Sequence, residues 1–226
     1  EDLWSALQAY EESSGGRVMS IPHNGNLSNG IMWDTRTLSG KPIDTDYANK
    51  RMRWEPIAEV TQVKGDSETH PLLSPDDEFA DFERWDRYNI SNTAKTTPEM
   101  LPGSYARSAL QRGLKFQQSL GANPYKFGMI GSTDSHTSLS TSNEDNFFGK
   151  FANSEPGVRN SETMMAGMKN ADWELGASGL SAVWARENNR EEIFAALERK
   201  EVYATTGSRI LLRFFGGWGF GEGALN

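Results

Sequence analysis

Two short stretches carry the residue types that do chemistry: Pro22-His23-Asn24-Gly25-Asn26 and Ser132-Thr133-Asp134-Ser135-His136. In an extended chain, residues i and i+2 project from the same face, so Asp134 and His136 can aim at one small object. A divalent cation suits that pair, because carboxylate oxygen and neutral imidazole nitrogen are both good ligands for hard or borderline ions. Ser132, Thr133 and Ser135 would then orient the ligands from behind. The same letters also describe a turn, since Ser, Thr and Asp readily bond nearby backbone amides. His23 has two readings as well: a turn residue shaped by its Pro and Gly neighbours, or a ligand beside Asn24 and Asn26, whose amides would face substrate oxygen.

Glu59 stands between Ala58 and Val60 in an apolar run, where a buried carboxylate demands a partner. An Arg or a backbone group would serve, as would a metal or its bound water. Glu68 and His70 form another i, i+2 pair in a polar loop; Glu68 is expected at the surface, and His70 is a secondary ligand candidate. Thr205, Thr206 and Ser208 are hydrogen-bonding groups at a strand end. The glycine-rich FGGWGFGEG has neither the strand-GxGxxG-helix context nor the GxxxxGK[ST] pattern, so it gives no support to nucleotide binding.

The elements that must position these residues can be read from periodicity. Leu3, Leu7 and Tyr10 predict an opening helix that stops at Gly15-Gly16. RVMSI predicts a strand ending at His23, and 56–63 a buried strand containing Glu59. Residues 104–120 predict a helix closed by Gly121. Strands are predicted at 127–133, 179–185, 202–206 and 210–215, with a helix capped by Asn189 and Glu192 running to Lys200. The stretches 74–102 and 138–175 lack periodicity and read as insertions or loops. Strands alternating with helices argue for one α/β domain with a largely parallel sheet, whose chemistry collects at the carboxyl ends of the strands.

Composition narrows the function classes. The chain has 226 residues and a formal charge of -8, which disfavours sequence-independent binding to nucleic acid. No apolar run approaches the ~20 residues of a membrane span. With no cysteine, thiolate zinc sites are excluded, and any metal falls to His, Asp, Glu or carbonyl oxygen. The compartment stays open, because a cysteine-free chain folds in either redox environment.

IPHNGN, GSTDSHTS and GLSAVWARENNREEIFAALERKEVYATTGSRILLRFFGGW together resemble a family related to the PHP (polymerase and histidinol phosphatase) metal-dependent phosphoesterases. The resemblance spans most of the chain, with 74–102 and 138–175 least diagnostic. It implies a distorted (β/α)7 barrel whose strand ends hold two or three Zn, Mn or Fe ions that hydrolyse phosphoesters. His23 matches the histidine of a late SxHP-type motif, Asp134 and His136 match a final DxH motif, and Glu59 matches an (I/V)EV strand position.

Such proteins begin with an HxH motif, and this chain has none. The expectation is therefore a partial barrel without its early strands, completed by a second copy or a partner segment. For the parent protein the expected activity is hydrolysis of a small anionic phosphoester by metal-activated water, with His23, Asp134, His136, Glu59 and His70 as candidate ligands. Asp134 would bridge ions or orient the attacking hydroxide, and His136 would share the catalytic role. An amide or ester hydrolase of the same barrel type, or a binding module that keeps the fold without catalysis, are the alternatives.

Overall fold

The structure is a computed structural model that describes residues 2–136, 150, 175 and 179–221. The element order is α1 (Asp2–Ser14), α2 (Thr45–Trp54), β1 (Ile57–Gln62), β2 (Gly65–Asp66), α3 (Ala106–Leu120), β3 (Gly128–Gly131), β4 (Leu180–Val183), α4 (Arg190–Arg199) and β5 (Val202–Thr205). Short 3-10 turns at Gly25–Leu27 and Pro98–Gly103 complete it.

Two small sheets form. In the first, ordered β2-β1-β3, β1 pairs antiparallel with β2 and parallel with β3; in the second, β4 and β5 are antiparallel. The second lies against the end of the first. A Cβ on Gly131 would fall 2.8 Å from the backbone N and O of Leu180, so glycine is what lets β3 end against the β4–β5 ribbon. Ser181 Oγ ties the contact by donating to Gly131 O at 2.7 Å.

This arrangement overturns the expected partial (β/α)7 barrel with a largely parallel sheet. Among the described residues β1–β3 is the only parallel pairing, and sheets of three and two strands do not close. Two causes are visible. RVMSI forms no strand: among the described residues its one backbone bond to a neighbouring segment is Ser20 N–H to Trp54 O, and the next, Glu59 N–H to Pro22 O, falls just after it, which is too little for a ladder. Residues 210–215 are exposed and irregular, with Leu211 and Phe214 largely in solvent, so no last strand joins the sheet.

The core lies between the first sheet and the helices. Ala58 and Val60 of β1 pack with Trp33, Ile43, Ala109 and Tyr125. The alanines Ala48 of α2 and Ala106 and Ala109 of α3 join the same cluster, and all three are fully buried. At α4, Asn189 Oδ1 accepts the Glu192 N–H at 2.8 Å, the cap read from the sequence. The 74–102 segment is not simply wrapped outside: Trp85 is buried with Leu27, Val63 and Leu175 in a second cluster. Apart from Lys150 and Leu175, the 138–175 stretch lies outside the described residues.

β2 contains a titratable anomaly. Position 65 requires glycine, because its φ is +95° and a Cβ there would meet Glu83 O at 2.5 Å, and the turn brings Asp66 inward. Burial pushes the Asp66 carboxyl up to about 7, against the lowering effect of the Glu68 and Thr69 N–H groups that it accepts. The unfolded chain loses this proton near pH 3.9, so the folded state binds more protons across the window from about 4 to 7 and stability falls as pH rises through it. Asp66→Asn removes that decline. Urea unfolding at about pH 5 and about pH 8 is expected to show the variant gaining on the parent chain at the higher value.

Candidate functional site

The parallel pairing of β1 with β3 puts the carboxyl ends of both strands on one side, where the loops that follow meet. Ser132 N–H donates to Thr61 O at 3.0 Å, which extends the pairing into the loop carrying Asp134 and His136. A register shift between Glu59 and Thr61 lies opposite this point. His23 arrives on the segment whose Pro22 O accepts the Glu59 N–H at 3.0 Å. Two separated pieces of chain are thus pinned to β1.

Glu59 is the hub. It is 5 % exposed, and its carboxylate accepts from His23 Nδ1 at 2.8 and 2.9 Å, from the Ser132 hydroxyl, and at 3.5 Å from the Asn24 N–H. Burial alone would raise its pKa, but the His23 bond and charge, with Ser132, bring it below the usual carboxylate value. Glu59 is therefore ionised at neutral pH, and it fixes the proton of His23 on Nδ1. In the neutral ring the lone pair of Nε2 then faces the other way.

That nitrogen lies 3.7 Å from Asp134 Oδ1, and His136 Nε2 lies 3.3 Å from the same oxygen. Ligands held about 2.0–2.1 Å from a tetrahedral ion sit about 3.3 Å from one another, so these spacings have the scale of a coordination shell. Both imidazoles are partly in solvent, with side chains 42 % and 53 % exposed, whereas Asp134 is 8 % exposed. The site opens on the histidine side. Asn24 (φ 62°) and Asp134 (φ 48°) both hold left-handed backbone, a conformation that concentrates in functional loops.

The other carboxylate oxygen of Asp134 is taken by two lysines absent from the sequence reading. Lys64 Nζ and Lys150 Nζ both bond Asp134 Oδ2, and each side chain is 3 % exposed. Lys150 Nζ also reaches Asp134 O at 2.7 Å and His136 Nε2 at 3.3 Å. Burial, and next the Lys150 charge beside it, push the Lys64 amine down to about 7; burial lowers Lys150 too. His136 is held below its ordinary value by burial and by the two lysine charges. Lys64 had a faint signal in the sequence, as the lone charge directly after the buried run VTQV; Lys150 stood in a stretch without periodicity.

Two candidates are placed elsewhere. His70 Nε2 bonds Asp86 Oδ2 at 2.8 Å while its Nδ1 accepts the Leu72 N–H at 3.0 Å, so both ring nitrogens are engaged away from Asp134. Asn26 is buried and bonded to Ser67, Lys64 O and Trp85 O, which makes it a brace rather than a substrate contact. Asn24 stays at the site, its Oδ1 accepting from Gln62 Nε2 at 2.6 Å, and Gln62 Oε1 in turn accepts from Lys64. Glu68 pairs with Arg107 at 2.7 Å near the surface.

The donor chemistry suits a borderline divalent ion: two imidazole nitrogens, one carboxylate oxygen, and a carboxylate behind the first imidazole that fixes its tautomer. Among the described residues, no group of three or more His, Asp or Glu side chains forms a ready metal cage. His23 and His136 instead meet at Asp134 Oδ1, with Lys150 bonded to Asp134 and reaching His136. Among the described residues no helix is long and apolar enough to cross a membrane.

The model of one protein family, described as "Protein of unknown function (DUF3604)", matches residues 1–226. No curated protein and no solved structure matches the chain.

Removing the hub tests the construction. Glu59→Ala leaves His23, Ser132 and the Asn24 N–H without their acceptor and is expected to cost about 1–3 kcal/mol in urea unfolding. In long-range nitrogen–proton NMR spectra the His23 ring of the parent chain is expected as the Nδ1–H tautomer, and that of the variant as a mixture weighted to Nε2–H. An unchanged tautomer in the variant would contradict the assigned role.

Proposed function

The chain belongs to the DUF3604 family, and we propose that it carries part of the catalytic centre of a metal-dependent hydrolase acting on small anionic phosphoesters. The observation that carries this reading is the convergence of His23 Nε2 and His136 Nε2 on Asp134 Oδ1, with Glu59 behind His23. The chain's resemblance to PHP-type phosphoesterases supports it.

His23, Asp134 and His136 would hold a divalent transition metal: Zn, Mn or Fe. When bound, such an ion lowers the pKa of its water toward about 7 and polarises a phosphoryl oxygen. The chain's own groups do the rest. Glu59 keeps the His23 proton on Nδ1, so that Nε2 stays an electron-pair donor, and Ser132 keeps Glu59 in place. Asp134 sits in a fixed left-handed turn, held by the lysines through Oδ2 so that Oδ1 faces the imidazoles. Lys64 and Lys150 place positive charge where an anionic substrate gathers negative charge in the transition state. The exposed edges of His23 and His136 form the approach from solvent.

One observation favours a second reading. Lys150 Nζ stands 3.3 Å from His136 Nε2, where a bound ion would need the lone pair, which suits a module that keeps the fold without catalysis. Amide or ester hydrolysis remains a third outcome, because the ligands do not select the electrophile.

Elemental analysis of the purified chain after mild dialysis is expected to find a stoichiometric transition metal, and His136→Ala to lose it while keeping its circular dichroism. A panel of phosphate monoesters and diesters, acyl esters and amides is expected to show turnover of phosphoesters. Full metal retention in His136→Ala would sink the ligand assignment. Cleavage of acyl esters or amides alone would move the reaction class.

A further inference from the structure

We propose that Lys150 is a built-in competitor for the ligand face of this site, and that its position sets how tightly the site takes a divalent ion. The inference rests on the metal reading above and concerns the regulation of that same site. Lys150 grips the D-x-H loop at both of its functional residues. Its Nζ bonds Asp134 at O and at Oδ2 and lies 3.3 Å from His136 Nε2, while its own carbonyl accepts the His136 N–H at 2.7 Å.

The ring nitrogen of a neutral imidazole has one lone pair, so it serves an ammonium N–H or a metal ion but not both. The ammonium also supplies the positive charge that would otherwise draw a cation to Asp134, and like charges at that distance repel. With a side chain 3 % exposed, Lys150 has no solvent in which to dissipate its charge. Lys64 is the internal comparison: it is equally buried, bonds the same Asp134 oxygen and touches Lys150, but where Lys150 turns to His136, Lys64 donates to Gln62 Oε1 at 3.1 Å.

Zinc affinity of the full chain, measured by competition with a chromophoric chelator, separates the cases. Lys150→Met, which keeps the apolar stem, is expected to bind zinc roughly tenfold tighter or more, the scale of a hydrogen bond to a charged group. Lys150→Gln should move the same way and serves if the first variant fails to fold by circular dichroism. Lys150→Arg should stay near the parent value. Lys64→Met should gain less, and His136→Ala in the Lys150→Met background should abolish the gain. Unchanged or weaker zinc binding in Lys150→Met and Lys150→Gln would overturn the inference while leaving the metal reading intact. An equal gain in Lys64→Met would also overturn it, by reducing the effect to charge removal. Absence of zinc binding in the parent chain and in every lysine variant would overturn the metal reading and the inference with it.

Discussion

A charged carboxylate inside a fully buried strand is the constraint on which the rest of the site depends. Glu59 cannot be left without donors in β1, because an unpaired buried charge is among the costliest features a fold can contain. Its donors come from two other parts of the chain: His23 and the Asn24 N–H from one side, Ser132 from the other. Satisfying one carboxylate therefore fastens the PHNGN loop and the loop after β3 to the same strand. The parallel pairing of β1 and β3 adds direction, since the chain leaves both strands at the same end, where Ser132 and Asp134 follow β3.

Charge is then divided between the two oxygens of one carboxylate. Asp134 Oδ1 meets two imidazole edges that reach solvent, Oδ2 is bonded by two buried lysines, and Lys150 spans both by reaching His136 Nε2. The lysines keep the carboxylate in a single orientation in a chain whose overall balance is acidic. They also make the site electrically self-sufficient, which is why its donor set resembles a coordination shell without forming a ready cage among the described residues.

Much of the local structure was legible in the sequence. The helices near 2–14, 106–120 and 190–199 follow their apolar spacing, glycine stops and the Asn189 cap, and the apolar run around Glu59 is a strand buried along its whole length. What failed was the inference from elements to architecture. RVMSI has the letters of a strand yet among the described residues only Ser20 N–H bonds a neighbouring backbone, and Ile210 to Phe215 is largely apolar yet stays in solvent, so neither extends the sheet. Spacing brought forward Asp134 and His136, because i, i+2 geometry is local. It could not separate His23, which faces Asp134, from His70, which is locked to Asp86, since that difference lies in tertiary partners. Lys150 was invisible and Lys64 only faintly marked for the same reason: a buried lysine looks like a surface lysine until its carboxylate partner is located.

The most direct test of the central claim is X-ray absorption at the zinc edge on the zinc-loaded chain, because it reads which atoms surround the ion. Two imidazole rings and an oxygen shell at about 2.0–2.1 Å, with one imidazole signature lost in His23→Ala and one in His136→Ala, is the result that the arrangement around Asp134 predicts. A shell without imidazole, or one that neither substitution alters, would contradict it.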